Sequence, residues 1–205
     1  MGKTPTAARC LTQAFEDRRV VKYYTGLSLK KPSRKQGRIQ GYMKRGRRKS
    51  WYLQEKSDDN DAWAQTYFWT AGLGKLVKGY AGPPTAVPPR TLLLFRPSTG
   101  RTHQLRVAAK SVGLPLIGDP LYTTSGINNN VKAATSFPRT CLHASGLHIS
   151  RENLSSIGFT KDLTLWSPPP FLDWWDVKSR PDIVRLLQKD TSVPMELLEA
   201  AMNGP

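Results

Sequence analysis

The chain has 205 residues, enough for one sizeable domain or one domain with a tail, and its six Trp and seven Tyr argue against disorder. It has no run of eighteen apolar residues and no compact apolar segment at the N-terminus, so neither a membrane span nor a secretory leader is expected. Thirty-one Lys and Arg against fifteen Asp and Glu leave a net charge of +16, which calls for a polyanionic partner, while three histidines and two cysteines in no zinc-type spacing imply no metal and thiols kept reduced.

In chain order, the spacing of Ala7, Leu11, Ala14 and Phe15 predicts a helix over 6–19, with Thr6 able to cap it. VVKYYTGLSL (20–29) reads as a buried strand. A basic segment follows. Residues 30–49 hold ten Lys and Arg and no acid. Gly37, Ile39, Gly41, Tyr42, Trp51 and Leu53 punctuate it with strand and turn residues, so a folded basic hairpin is expected rather than a bare tail. Lys44, Arg45, Arg47, Arg48 and Lys49 are its candidate phosphate contacts. SDDND (57–61) is a solvated acidic turn, AWAQTYFWTA (62–71) a strand, and 72–89 a Gly- and Pro-rich loop.

TLLLFRP (91–97) is the next strand. RTHQLRVAAKSVG passes from strand to helix, and LPLIGDPLY (114–122) is turn-rich, with a loop after it at TSGINNN. CLHASGLHIS (141–150) and FTKDLTLWSPPP (159–170) are the last strands, and 181–202 forms two short helices. The strands do not alternate regularly with helices. The expected fold is therefore α+β, a mixed, mainly antiparallel bent sheet with flanking helices, as a domain over 1–176 and a helical tail over 177–205.

RPSTGRTHQLRVAAKSVGLPLIGDPLY resembles the signature of the RluA-type pseudouridine synthases, P-x-T-G-R-T-H-Q-[IL]-R-V-H followed by G-x-P-[IL]-x-G-D-x-x-Y. FEDRRVVKYYTGLS and CLHASGLHIS are similar to two further stretches of that family, so the likeness runs from residue 6 to about 172. The resemblance implies an RNA-modifying isomerase that needs no cofactor and no metal. It would act as a monomer on rRNA or tRNA, in the cytoplasm or an RNA-containing organelle. By match to the family, Arg106 is the arginine beside the catalytic carboxylate, Tyr24 meets the flipped base and Leu105 lines the pocket. Arg101, Thr102, His103 and Gln104 are expected to contact RNA. Residue by residue, other readings stand beside these. Arg106 alternates with Leu105 and Val107, as on a strand facing solvent. Either Tyr23 or Tyr24 faces the pocket, and Asp119 bonds its own turn.

Two departures matter. Ala108 stands where the family has histidine. The family's aspartate lies in an H-R-L-D-x-x-T-S-G motif, and no histidine of this sequence precedes Arg-Leu-Asp. The expectation is a piece of a longer enzyme, inactive alone, with Arg106 lacking a carboxylate partner. The alternatives are an RNA-binding pseudoenzyme or ribosome-assembly factor, or an unrelated basic structural protein.

Overall fold

The computed structural model describes residues 2–56, 62–73, 90–123, 139–169 and 179–203. The acidic turn at 57–61, the loop at 74–89 and the whole of TSGINNN (124–130) lie outside the described residues. Helix α1 (Pro5–Glu16) is followed by strands β1 (Val20–Ser28), β2 (Gln36–Arg45), β3 (Trp51–Gln54), β4 (Ala62–Leu73) and β5 (Arg90–Pro97). Helix α2 (Gln104–Ser111), β6 (Leu142–Ile149), β7 (Leu163–Trp166), α3 (Ser179–Leu187) and α4 (Met195–Asn203) complete the chain order. The seven strands form one sheet in the order β3-β2-β4-β5-β1-β6-β7, antiparallel throughout, in agreement with the expected α+β class.

Helix α1 begins one residue earlier, and ends three residues earlier, than its apolar spacing suggests. Thr4, not Thr6, is the cap, its hydroxyl accepting from the Ala7 amide at 3.2 Å, and Pro5 takes the first helical position, where no amide is needed. Cys10, Leu11 and Ala14 pack it on Val20, Ile149 and Leu154.

The two faces of the sheet have different cover. Tyr23, Leu27, Leu92 and Leu94 point to one face, where Ile183, Leu186 and Leu187 of α3 and Leu197 and Ala201 of α4 complete a core. The two C-terminal helices therefore share the sheet's core. On the other face, Leu93 and Phe95 pack on Leu105, Ala108 and Ala109 of α2 and on Leu114 and Leu116. This alternation along β5 is the two-residue period of a strand covered on both sides, which is why LLLF reads as a continuous apolar run.

A polar anchor fastens the segment between α3 and α4. Tyr23 Oη donates to Asp190 Oδ2 at 2.6 Å, and Arg96 Nε lies 2.6 Å from the same oxygen as an ion pair without hydrogen-bond alignment. The Ser192 amide donates to Asp190 Oδ1. Burial and the neighbouring carboxylate push the Tyr23 phenol far above its ordinary pKa, so it remains a donor. Tyr23→Phe should cost about 1.5–3 kcal/mol, the range for a hydrogen bond to a charged group. Urea unfolding measures it, and a loss below about 0.5 kcal/mol would mean that packing alone holds the segment.

Cys10 and Cys141 are free thiols. Burial pushes the Cys141 thiol up to about 12, so it is an inert core residue. No helix among the described residues is long and apolar enough to cross a membrane.

Candidate active site

A cleft of about 300 Å³ opens on the α2 face of the sheet. Lys22 and Tyr24 of β1 form one side, Arg101, His103, Leu105 and Arg106 the other, and Leu142 of β6 closes one end. The structure thus brings Tyr24 and Arg106 to one cleft. It resolves the tyrosine register: Tyr23 is fully buried in the core, and Tyr24 is the half-buried one on the cleft side. A bulge marks the step. Tyr23 pairs with Gly146 but Tyr24 with Ala144, so one residue of β6 is extra at this point, a device that re-aims side chains. Burial raises the pKa of the Tyr24 phenol and lowers that of Lys22.

Arg106 is not on a strand. It occupies the first turn of α2 and meets Tyr24 from a helix, so the alternative of a solvent-facing strand position does not hold. Strand-like alternation ends at Pro97. The turn that follows is built by Gln104, whose Oε1 accepts from Thr99 Oγ1 at 2.8 Å and from the Arg101 amide at 2.9 Å. Its Nε2 donates to the Gln65 carbonyl and to Thr66 Oγ1. Gln104 is 6% exposed and uses its whole bonding capacity inside the protein. Its side chain thus clamps the loop from within. His103 precedes the helix in the left-handed region, φ 57°, and this sharp reversal turns the chain from β5 into α2. Arg101 and Thr102 are exposed at the rim, with Arg101 Nε donating to the Trp63 carbonyl at 3.0 Å. Leu105 is 8% exposed and joins the core beneath the cleft.

The expectation that Arg106 lacks a carboxylate partner is also corrected. Its Nε and Nη2 donate to the two oxygens of Asp119, at 2.8 and 2.7 Å. The same carboxylate accepts from the Leu121 and Tyr122 amides, so Asp119 does bond its own turn and also holds the arginine. Burial alone would raise the Asp119 pKa, but the Arg106 and backbone hydrogen bonds outweigh it and hold the group below its ordinary value. The bond to Asp119 in turn raises the pKa of Arg106. This grip uses Nε and one hydrogen of Nη2, which leaves the two N–H groups of Nη1 for a further acceptor. Beneath the guanidinium lies the Tyr122 ring, 4.9 Å from Arg106 Cζ.

Tyr122 links this site to the basic hairpin. Its hydroxyl accepts from the Trp51 amide at 2.8 Å and lies 3.0 Å from His103 Nδ1. Burial, then the Arg106 charge, lowers the His103 pKa, so its ring is neutral at neutral pH. The hairpin is β2 and β3, at one edge of the sheet, joined by a turn in which Arg48 and Lys49 take positive φ. Arg45, Arg47, Arg48 and Lys49 are exposed there, and Lys44 is half-buried.

Among the described residues, no Asp or Glu lines the cleft. Glu16, at the end of α1, borders an adjoining recess with Arg18, Lys22 and Arg101. Sequence reading did not bring Glu16 or Lys22 to the site: Glu16 arrives through the placement of α1, whereas Lys22 shares the face of Tyr24 by the two-residue period of β1, a signal that could have found it.

The model of the RNA pseudouridylate synthase family matches residues 1–111. The chain belongs to that family and is an RluA-type member. A Haemophilus influenzae relative named an uncharacterized RNA pseudouridine synthase is 34% identical over 142 residues, 69% of this chain and 53% of the relative. The dual-specificity RNA pseudouridine synthase RluA of Haemophilus ducreyi is 45% identical over 60 residues, 29% of this chain and 24% of its own. The chain thus spans about half, or less, of these relatives. Among solved structures, human RNA pseudouridylate synthase domain containing 1 shares the fold at a TM-score of 0.62 and 24% identity, over 89% of this chain and 73% of that one.

Proposed function

We propose that the chain forms the base- and phosphate-holding part of an RNA pseudouridine synthase, acting on uridine in rRNA or tRNA. The observation that carries this reading is the convergence of Tyr24 and the Asp119-held Arg106 on one cleft beside a basic hairpin. The reaction breaks N1–C1′, turns the base and forms C5–C1′, with the C5 proton lost and one gained at N1. In this reading the target nucleotide leaves its stack, and its base lies against the Tyr24 ring. Arg106, kept in place by Asp119, offers Nη1 to the carboxylate that the chemistry requires. That carboxylate comes from an H-R-L-D segment, which the sequence does not contain. RNA carrying tritium at C5 of uridine tests the reading. A protein uniting this chain with such a segment should release the label, and retention of all label by a folded, RNA-bound protein would refute it.

A second reading, an RNA-binding protein without chemistry, is favoured by the absence of a carboxylate from the described cleft lining. Both readings need RNA. The slope of log affinity against log salt should approach 0.7 for each phosphate contacted on single strands. Arg45→Ala, Arg47→Ala and Arg48→Ala together should flatten it by about 2, measured by fluorescence anisotropy between low and moderate salt. An unchanged slope would place the phosphate footprint elsewhere.

A further inference from the structure

His148 of β6, Asp162 just before β7 and Glu196 in the first turn of α4 meet on the sheet face opposite the cleft. One ligand atom from each, an imidazole nitrogen and two carboxylate oxygens, lies within 4.8 Å of the others. His148 stands directly across from Val21, which packs on the core shared with α3 and α4, so its side chain belongs to that face. We propose that these three side chains form a binding site for a divalent cation of the zinc type, which staples α4 to the β6–β7 hairpin.

Two of the ligands are already oriented by their neighbours. His148 Nδ1 lies 3.0 Å from Thr164 Oγ1, and donation to that hydroxyl leaves the Nε2 lone pair free to bind. Asp162 Oδ1 accepts from the Arg151 amide at 2.7 Å, which sets the plane of the carboxylate. Its other oxygen, Oδ2, lies 3.6 Å from His148 Nε2. That is long for a hydrogen bond, but close to the separation of about 3.4 Å between neighbouring tetrahedral ligands at zinc bond lengths. The His148 side chain is 10% exposed, so its ring is fixed by packing, whereas Glu196 is exposed and closes on the ion from the helix.

The donor set selects the ion. One imidazole and two carboxylates suit zinc, whose three-ligand sites keep a fourth position for water. Magnesium demands octahedral oxygen ligands and disfavours the imidazole. Copper(I) prefers the sulfur ligands that this site lacks. With a neutral imidazole the site carries two negative charges, which the ion neutralises. The ion also joins an edge strand of four residues to the last helix of the chain.

The chain, stripped with a chelator, is titrated with Co²⁺ and then with Zn²⁺. The expected result is one Co²⁺ per chain with the intense visible absorption of a tetrahedral site. One equivalent of Zn²⁺ should displace it, excess Mg²⁺ should leave it in place, and Zn²⁺ should raise the unfolding temperature. Glu196→Gln, on the surface of α4, leaves the fold intact and should weaken Zn²⁺ binding tenfold or more, as should Asp162→Asn. His148→Ala should remove the tetrahedral spectrum, whereas His143→Ala, on the same strand, should leave it unchanged. Failure to bind one ion per chain, an octahedral spectrum, or equal affinity in Glu196→Gln would overturn the proposal.

Discussion

Asp119→Ala is expected to destabilise the chain by about 3–5 kcal/mol, the cost of removing one member of a buried ion pair. Asp119 is 2% exposed and answers four donors: two from Arg106 and the amides of Leu121 and Tyr122. Its loss leaves a guanidinium without its counter-charge and two amides without acceptors. For a chain of this size the melting temperature should fall by roughly 6–20 °C. The pH dependence has a definite sign. The folded-state pKa of Asp119 is depressed, so its contribution is complete above the ordinary carboxylate value near 3.8 and is lost as pH falls through the lower folded value. The gap between wild type and Asp119→Ala should therefore narrow in acid. Circular dichroism melts at several pH values measure both effects, and a loss under about 1 kcal/mol at neutral pH would mean that the pair is not structural.

The second large effect is on catalysis. In a protein that unites the chain with an H-R-L-D segment, Arg106→Ala should lower the isomerisation rate by at least about 10²–10³-fold, the range for removing a preorganised donor. Arg106→Lys should not rescue it, because a single ammonium cannot hold Asp119 through two parallel bonds and still offer a second edge. Tyr24→Ala should weaken capture of the target nucleotide by about 1–3 kcal/mol, the range for a lost aromatic–base stack. Single-turnover kinetics separate the two effects. A fully active Arg106→Ala protein would remove Arg106 from the site.

Much of the fold was legible in the sequence because the strands carry strong local signals. Leu92 to Phe95, Val20 to Leu27 and Ala62 to Ala71 are β-branched, aromatic or continuously apolar, and each lies in the sheet. What pattern could not supply was context across the chain. At Arg106 the alternation of Leu105 and Val107 mimics a strand, because helix α2 has only eight residues and its period has little room to show. Asp119 was assigned correctly to its turn, but its second partner lies thirteen residues away on another element, and no local rule links them. The choice between Tyr23 and Tyr24 depended on which face of the sheet α2 covers, since Tyr24 pairs with Phe95 on that face and Tyr23 points to the other. The family motifs marked Arg106, Leu105 and Tyr24, and the structure places all three at one cleft. Gln104, within the same motif, has a structural task that the motif alone did not reveal.

The most direct test is a chemical map of pseudouridine in total RNA from the protein's own source. The RNA is incubated with the 205-residue chain alone and with the chain joined to an H-R-L-D segment. No new pseudouridine is expected from the chain alone, and reproducible new sites are expected from the joined protein that disappear with Arg106→Ala. New sites made by the chain alone and lost with Arg106→Ala would contradict that expectation, because an acid already present, with Glu16 the first to examine, would then be doing the chemistry.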